Sequence, residues 1–275
     1  MDEVQLSAVA EAAEAEFMYQ YESMATPATK AALGIATVRI GGGVALSMRN
    51  DVTGYWSKAL GFGGTEPVTA EVIDRVVDFY RDQSTASAVI QIAPQALPTE
   101  WPDISERHRL RAESAWVKLA CSVDDFRPGG DTTLRVGPVP AADFGRWAAT
   151  CMRGFGMPEE GLADMMAAAV THPGFRPFAA WDGDQMVAAA NLFIHNGVGS
   201  LNSTSTLTSH RNRGAQSALI AALGKEAVNG GCRWLCAETG RSADDDTNQS
   251  LQNLMRIGLR PLYDRQNWTW SAADE

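Results

Sequence analysis

The sequence predicts an α/β (α+β) protein in which helices and strands alternate. Segments with helical period alternate with short apolar segments of strand length along the whole chain. The step Asp182-Gly183 separates two such apolar segments and favours a hairpin turn, which pairs strands antiparallel. The chain has 275 residues and 45% of them are hydrophobic, which is enough for two modest domains or one large one.

The front half predicts helices and short strands in alternation. Residues 2–26 are rich in Ala and Glu and predict a surface helix that ends before Pro27. Thr69 is a suitable N-cap for a helix whose buried face carries Val72, Ile73, Val76, Val77 and Tyr80. The other predicted elements are strands over 35–40 and 44–48 joined by a glycine turn, a short helix over 51–60, a strand over 87–93, a helix over 103–111 and a strand over 114–121.

The back half follows a candidate linker. Residues 124–130 combine proline, glycine and charge, so we place an N-terminal domain at 1–125 and a second domain at 131–275. The elements predicted after the linker are a strand over 133–136, helices over 140–152 and 158–170, hairpin strands over 178–181 and 185–194, a strand from Leu201, a helix with the buried stripe Leu219, Ile220, Leu223 and Ala227, a strand ending at Glu238, a helix over 244–257 and a strand over 261–270.

The net charge and the composition indicate which kinds of binding partner the protein has. The formal net charge of −10 argues against a general nucleic-acid or anionic-membrane binder. No apolar run approaches the length of a membrane span, and the first residues are acidic, unlike a signal peptide. We therefore expect a cytoplasmic protein with no nucleic-acid or membrane partner. The excess of Arg over Lys, with abundant Ala and Gly, is associated with GC-rich bacterial genomes. A homodimer is one option for its assembly.

The four cysteines and four histidines show no metal-binding spacing. Cys232 and Cys236 lie on a predicted strand without a second ligand pair, which indicates buried structural thiols rather than zinc ligands. A nucleophilic thiol also needs a base and an orienting partner, and the sequence displays neither beside a cysteine. We predict no metal site.

The turn at residues 211–216, RNRGAQ, leads from a predicted strand into a predicted helix. The first N–H groups of a helix have no intrahelical partner and lie at the positive end of its dipole, so they suit a phosphate. Gly214 has no Cβ and would let an anion approach the backbone closely. Arg211 and Arg213 would add charge-assisted hydrogen bonds. A basic helix cap without a ligand is the alternative.

This stretch resembles the central motif of the GNAT superfamily of N-acetyltransferases, a strand followed by R/Q-x-x-G-x-G/A and a helix. Arg211-x-x-Gly214 matches the motif, whereas Gln216 stands where the family has a small residue. The closing segment resembles the family's last helix and strand, but Leu254 replaces its usual tyrosine. The front half, over residues 34–122, resembles a degenerate second copy by element order alone, and an unrelated α/β cap explains that order equally well.

The resemblance implies a mixed, mostly antiparallel sheet and acetyl-CoA as the cofactor. Two of the strands would splay apart, and backbone groups in the gap would bind the pantetheine arm as an added strand is bound. Asn248 and Asn253, on the last helix, could reach the cofactor, although each is also an ordinary polar helix residue. The implied cofactor-binding residues are Thr204, Ser205 and Thr206 for the arm, Arg211, Asn212, Arg213, Gly214, Ala215, Gln216 and Ser217 for the pyrophosphate, and Asn248 and Asn253.

The resemblance also implies the chemistry of acyl transfer. Glu238 ends the second splayed strand and could take a proton from an acceptor amine, although a solvent-exposed strand-end glutamate fits the sequence as well. Tyr263 is a candidate acid in place of the missing tyrosine, and a core or rim position is the commoner role for such a residue. Trp147, Met152, Phe155 and Met157 could line an apolar acceptor pocket or belong to the core.

The predicted function is therefore transfer of an acetyl group from acetyl-CoA to a primary amine of a small molecule. The alternative is a non-catalytic acyl-CoA-binding or regulatory module that keeps the fold without the chemistry. Leu254 and Gln216 favour the alternative, whereas the Arg211-x-x-Gly214 turn and Glu238 favour the enzyme.

Overall fold

The computed structural model describes residues 3–241 and 248–274 and divides into two compact units. Unit 1 comprises Met1–Lys118 and Leu262–Glu275, and unit 2 comprises Leu119–Pro261. Mixed, mostly antiparallel strands flanked by helices confirm the predicted α/β (α+β) class. The division differs from the predicted domains at the C-terminus, because the residues from Leu262 onward belong to unit 1.

Unit 1 contains four helices and six strand segments among its described residues. Its helices are α1 (Glu3–Ser23), α2 (Pro27–Leu33), α3 (Ala70–Asp82) and α4 (Trp101–Arg107). Its strands are β1 (Ile35–Ile40), β2 (Gly43–Met48), β3 (Lys58–Leu60), β4 (Ser87–Gln91) and most of β5 (Arg111–Ser122) and β11 (Arg260–Ser271), in the spatial order β1-β2-β3-β4-β11-β5. The predicted cap and buried face of α3 are confirmed, since the Thr69 side chain accepts from Val72 N.

Two predictions in this unit are wrong. Helix α1 is not a surface helix, because it buries Phe17, Met18 and Tyr21 together with the carboxylates of Glu11 and Glu14. Residues 51–57 form turns rather than a helix and lead into β3. The Asp51 side chain accepts hydrogen bonds from the backbone N–H groups of Thr53, Tyr55 and Trp56, which competes with helical hydrogen bonding.

Unit 2 contains the remaining elements. Its helices are α5 (Phe144–Phe155), α6 (Leu162–Ala169), α7 (Ala215–Asn229) and α8 (Gln249–Arg256), and its strands are β6 (Arg135–Pro138), β7 (Phe175–Asp182), β8 (Gln185–His195), β9 (Val198–Thr206) and β10 (Trp234–Gly240), in the order β10-β9-β8-β7-β6. The β7–β8 hairpin turns at Gly183 as predicted, and the predicted apolar stripe of α7 is buried. Residues 244–247 of the predicted last helix lie outside the described residues.

The candidate linker is packed inside unit 2. Phe126 is 8% exposed and fills the space above Gly224 on α7, where a Cβ would collide with its ring. The backbone N–H of Arg127 donates to Ile257 O at 2.8 Å. The proline, glycine and charge of this segment therefore belong to a packed connection, and the unit begins earlier, at Leu119.

The two units share one order of elements. In unit 1, two helices precede the antiparallel strands β1, β2 and β3, and helix α3 then connects β3 to the parallel strand β4. In unit 2, α5 and α6 precede the antiparallel strands β7, β8 and β9, and α7 connects β9 to the parallel strand β10. The front half therefore repeats the topology of the back half, and an unrelated cap does not account for it.

The cysteines, the candidate metal ligands and the lengths of the helices each bear on a prediction from the sequence. All four cysteines are free and buried, and burial raises the pKa of both Cys121 and Cys151 to about 12, as expected of structural thiols. Within the described residues, no group of His, Cys, Asp and Glu side chains could hold a metal ion. No helix in that part of the chain has both the length and the apolar character needed to cross a membrane.

Candidate functional site

Strands β9 and β10 separate part-way along their length. Their parallel pairing runs from Val198 opposite Trp234 to Leu201 opposite Ala237. Beyond that pair, β9 continues to Thr206 and β10 continues to Gly240. The strands therefore splay, as the family resemblance implied, and the backbone of residues 202–206 that faces β10 has no strand partner among the described residues.

A bulge shapes the open part of β9. The register between β8 and β9 shifts between Ala189 and Asn191, opposite Ser203, whose φ is +53°. A non-glycine residue in the left-handed region is uncommon and often marks a functional site. Helix α5 packs closely on the strand here, because the Ser205 hydroxyl donates to Cys151 O at 3.0 Å and a Cβ on Gly154 would meet that hydroxyl.

The turn between β9 and α7 is held by its backbone and by a neighbouring segment. Asn212 and Gly214 are both in the left-handed region, with φ of +61° and +77°. The Thr132 hydroxyl donates to Arg213 O at 2.8 Å, and a Cβ on Gly214 would collide with the carbonyl of Asp131. Gly214 is therefore required by the turn itself, rather than only by an approaching anion as the sequence suggested. As the N-cap of α7 it offers no side chain to the first N–H groups of the helix.

A pocket of about 620 Å³ lies where the open end of β9 meets this turn. The described residues that line it come from α5, β9, the turn, the start of α7 and α8: Gly154, Phe155, Thr204, Ser205, Thr206, His210, Arg211, Asn212, Gly214, Ala215, Gln216, Ser217, Gln249, Asn253 and Arg256. Ten of the twelve predicted cofactor-binding residues line this pocket, nine from β9, the turn and the start of α7, and Asn253 from α8. The end of the strand and the N-terminus of the helix therefore form one cavity.

Solved structures share this architecture. A GCN5-related N-acetyltransferase from Kribbella flavida matches 96% of the chain and 97% of its own length at 17% identity, with a TM-score of 0.62. The chain has the GNAT fold. A tandem GNAT protein from the clavulanic acid biosynthesis pathway matches 96% of the chain and 95% of its own length at 12% identity, with a TM-score of 0.58. A GCN5-related N-acetyltransferase from Sphaerobacter thermophilus covers 86% of the chain and 76% of its own length at 14% identity and a TM-score of 0.58.

Sequence comparison adds nothing to this structural likeness. No protein-family model matches the sequence, and no curated protein matches it significantly. The tandem architecture of one neighbour agrees with the repeated topology of units 1 and 2.

The two arginines of the GNAT-like turn have different partners. Arg213 donates to Asp182 Oδ2 at 2.6 Å, and His210 Nε2 lies 3.4 Å from the same oxygen. The Arg213 guanidinium holds the pKa of the Asp182 carboxyl below its usual range, with a smaller contribution from His210. Arg211 donates instead to the carbonyls of Thr206 and Gly154, at 3.5 and 3.3 Å, and lines the pocket. Arg213 is not among the described residues that line the pocket.

Gln216 has a tertiary partner that explains its departure from the GNAT motif. Its Oε1 accepts from Asn253 Nδ2 at 2.6 Å, which ties the first turn of α7 to α8. Asn253 is 6% exposed, and its Oδ1 accepts from Gln249 Nε2 and Arg256 Nη1. The side chain of Gln216 thus points towards α8 and forms part of the pocket wall.

Asn248 acts as a helix cap. Its Oδ1 accepts from Leu251 N at 3.0 Å and its Nδ2 donates to Gly240 O at 2.8 Å. It is not among the described residues that line the pocket. In this structure Asn248 therefore caps the N-terminus of α8.

The two predicted catalytic residues are placed differently. Glu238 is half-buried and is the first residue of β10 after the last pair with β9, where the two strands begin to separate. It does not end the strand as expected, because β10 continues to Gly240. Tyr263 belongs to unit 1, where its hydroxyl donates to Glu11 Oε1 at 2.7 Å. Burial and the neighbouring Glu11 carboxylate raise the pKa of Tyr263 above its ordinary value. Tyr263 therefore takes part in a buried network of unit 1, and we withdraw the acid role.

The apolar acceptor candidates also divide. Trp147 and Met152 are core residues, and the indole N–H of Trp147 donates to Phe178 O at 3.0 Å. Phe155 is 48% exposed and lines the pocket. Trp147 and Met152 therefore belong to the core rather than to the lining of an acceptor pocket.

The corresponding turn of unit 1 differs from this site. The N-terminus of α3 is capped by the Thr69 hydroxyl, which accepts from Val72 N at 3.3 Å. The loop after β3 packs against α1, where a Cβ on Gly61 would meet Ala15. This helix start is therefore satisfied by a side-chain cap, unlike the start of α7, which has none.

Sequence reasoning missed three polar residues of the pocket. Gln249 and Arg256 share with Asn253 one face of α8, at spacings of four and three residues, and His210 precedes the turn. The helical spacing of 249, 253 and 256 is visible in the sequence, but only the fold shows that this face meets α7.

Proposed function

We propose that the protein is an N-acetyltransferase that moves an acetyl group from acetyl-CoA to a primary amine of a small molecule. The observation that carries this proposal is the pocket that joins the open end of β9 to the N-terminus of α7. An extended acyl-CoA arm needs strand-like backbone partners, and its diphosphate needs a helix N-terminus. The pocket offers both on adjoining residues.

The residues of the pocket fit the parts of the cofactor. The backbone of Thr204, Ser205 and Thr206 would hold the pantetheine arm in the splay. The left-handed residues Asn212 and Gly214 curve the backbone of the turn, and a backbone concavity of this kind binds anions. Ala215, Gln216 and Ser217 supply the first N–H groups of α7, and the Arg211 guanidinium adds positive charge. Acetyl-CoA, when bound, would supply an activated thioester.

Glu238 is the residue we assign as general base. It follows the last β9–β10 pair, where the splay opens and an acceptor could enter. An ammonium group must lose a proton before it can act as a nucleophile, and a carboxylate at this position can accept that proton directly or through water. A coenzyme A thiol has a pKa of about 8.5 by analogy with cysteine. Its thiolate leaves without a dedicated acid, so Leu254 and the displaced Tyr263 do not preclude turnover.

A non-catalytic acyl-CoA-binding module is the second candidate. Leu254 favours it, since this residue stands where the GNAT resemblance places a tyrosine and is 4% exposed in the core. A panel of primary amines, with thiol release from acetyl-CoA as the readout, separates the two. Saturable cofactor binding at one site per chain without thiol release on any amine would favour the binding module.

The substitution Glu238→Gln tests the enzyme directly. It keeps the shape of the side chain and removes its ability to accept a proton. We expect acetyl-CoA affinity to stay nearly unchanged while turnover falls by roughly 10²–10⁴-fold at neutral pH, the usual effect of losing a positioned base. The loss should shrink at high pH, because the amine then deprotonates in solution.

Glu226→Gln is the matched control. Glu226 lies on α7 within 3.6 Å of Arg176 and does not line the pocket among the described residues, so the change should leave turnover near wild type. Wild-type turnover of Glu238→Gln at neutral pH would reduce Glu238 to a structural strand-end residue. The base would then have to be sought elsewhere in the splay.

A further inference from the structure

The three arginines around the pocket differ in what their donors already bind. Arg213 is paired with Asp182 at 2.6 Å, so its charge is compensated. Arg211 donates through Nε and Nη2 to two backbone carbonyls and links α5 to the end of β9. The guanidinium of Arg256 donates through Nη1 to Asn253 Oδ1, which is neutral, and no carboxylate lies within ion-pair distance of it among the residues that the structure describes.

The direction of Arg256 is set by a chain of partly buried side-chain hydrogen bonds. Gln216 Oε1 accepts from Asn253, and Asn253 Oδ1 in turn accepts from Arg256 at 2.7 Å. Asn253, which anchors Arg256, is 6% exposed, whereas Arg256 itself is exposed and lines the pocket. Within the described part of the chain, the other donors of this anchored guanidinium have no partner, and a guanidinium at the edge of a pocket can bind a phosphate through two parallel hydrogen bonds.

We propose that Arg256 binds a phosphate group of the cofactor and takes the role that the sequence assigned to Arg213. This inference rests on the proposed function, because it concerns the same pocket. Coenzyme A carries a diphosphate and a ribose 3′-phosphate, and both present the oxygens that a guanidinium recognises. A competing explanation is that an arginine in the last turn of α8 stabilises that helix through its dipole, which would leave ligand binding unchanged.

The test is calorimetric titration of coenzyme A into the full-length protein and three variants. Arg256→Gln should weaken coenzyme A binding by roughly 10- to 100-fold, the effect of losing a charge-assisted hydrogen bond. Arg256→Lys keeps the positive charge but not the planar guanidinium with its paired donors, and its affinity for coenzyme A should lie between those of Arg256→Gln and wild type. Arg146→Gln makes the same change of net charge at an exposed arginine of α5 that pairs with Asp143, and it should bind as wild type does.

Repeating the titrations with dephospho-coenzyme A identifies the phosphate. If the loss in Arg256→Gln persists, the partner is the diphosphate. If the loss disappears and wild type itself binds more weakly, the partner is the 3′-phosphate. Arg256→Gln binding coenzyme A as tightly as Arg146→Gln would overturn this inference and leave the proposed function standing. Failure of the wild-type protein to bind coenzyme A or acetyl-CoA would overturn both.

Discussion

At the scale of single residues, the turn that forms the pocket depends on Gly214. Its φ of +77° lies in the left-handed region, and a Cβ there would collide with the carbonyl of Asp131. Strain of this kind costs a non-glycine residue about 1–3 kcal/mol. The position is therefore closed to other residues whether or not a ligand is bound.

Gly214→Ala should lower the free energy of unfolding by about 2 kcal/mol or more, from the left-handed backbone and the collision together. Urea unfolding measures the change. Gly145→Ala is the control, because Gly145 lies in the first turn of α5 and an added Cβ meets nothing within 4 Å. A Gly214→Ala protein as stable as the Gly145→Ala protein would contradict the assignment of strain.

Glu22 is a buried carboxyl in unit 1. It is fully buried, and neither of its oxygens has a hydrogen-bond partner among the described residues. Desolvation and the Asp51 carboxylate raise the pKa of Glu22 well above its ordinary value, with Lys58 acting in the opposite direction. An unpaired carboxyl in such a place is neutral over a wider pH range in the folded state than in the unfolded state.

This shift has a defined sign for stability. A raised folded-state pKa gives stability that is fully present below the unfolded pKa of about 4.3 and is lost as the pH rises towards the folded value. Wild-type protein should therefore lose stability between pH 5 and pH 8 as Glu22 ionises, and the Glu22→Gln variant should lose less over the same range. Thermal unfolding at both pH values measures it. Parallel pH profiles for wild type and variant would show that Glu22 does not titrate in this range.

At the scale of elements, the starts of three helices have different functions. Helix α3 is capped by Thr69 and α8 by Asn248, each through a side-chain oxygen. Helix α7 begins at Ala215, its N-cap Gly214 has no side chain that could cap it, and its first three residues line the pocket. A capped helix start is satisfied internally, whereas an uncapped one is available to an anion.

Asn248→Ala should lower the free energy of unfolding by about 1 kcal/mol, the usual cost of losing an N-cap. Asn248→Asp keeps the accepting oxygen and should restore most of that loss. Urea unfolding and coenzyme A titration of both variants distinguish a helix-capping role of Asn248 from a cofactor-binding role. A drop in affinity in Asn248→Asp without loss of stability would return Asn248 to the cofactor site.

At the scale of the whole molecule, the C-terminal strand completes unit 1. Strand β11 pairs antiparallel with β4, from Asn267 opposite Gln91 to Ser271 opposite Ser87. It also carries Arg265, which is fully buried and donates to Glu11 at 2.6 Å and Glu14 at 2.8 Å. Lys118 contacts the same two carboxylates. The two cations compensate two buried carboxylates, and removing one of them leaves uncompensated charge.

A chain that ends at Pro261 should therefore lose the cooperative unfolding of unit 1, because β4 loses its neighbour and Glu11 and Glu14 lose Arg265. Circular dichroism and thermal unfolding of the truncated chain measure this. Arg265→Met keeps the strand and removes only the charge, and should cost about 3–5 kcal/mol, as breaking a buried ion pair does. A truncated chain with the full unfolding signal of wild type would show that residues 262–275 are dispensable for unit 1.

The sequence by itself determined the fold class, the order of most elements and the turn at residues 211–217. These depend on local signals: the stripe of α7, the cap of α3 and the Asp182-Gly183 hairpin each involve residues a few positions apart. The splay of β9 and β10 also agreed with the prediction, but it came from the family resemblance rather than from the local pattern.

Only the tertiary structure decided which side chains face the pocket. Arg213 is drawn to Asp182 and Gln216 to Asn253, across 31 and 37 residues of chain, and Tyr263 to Glu11 across 252. The burial of α1 has the same origin, since the carboxylates of Glu11 and Glu14 are compensated in the interior by Arg265 and Lys118, which lie far away in sequence. Pairings between residues so distant in sequence leave no periodic or turn signal, because they depend on where the sheet brings the elements together.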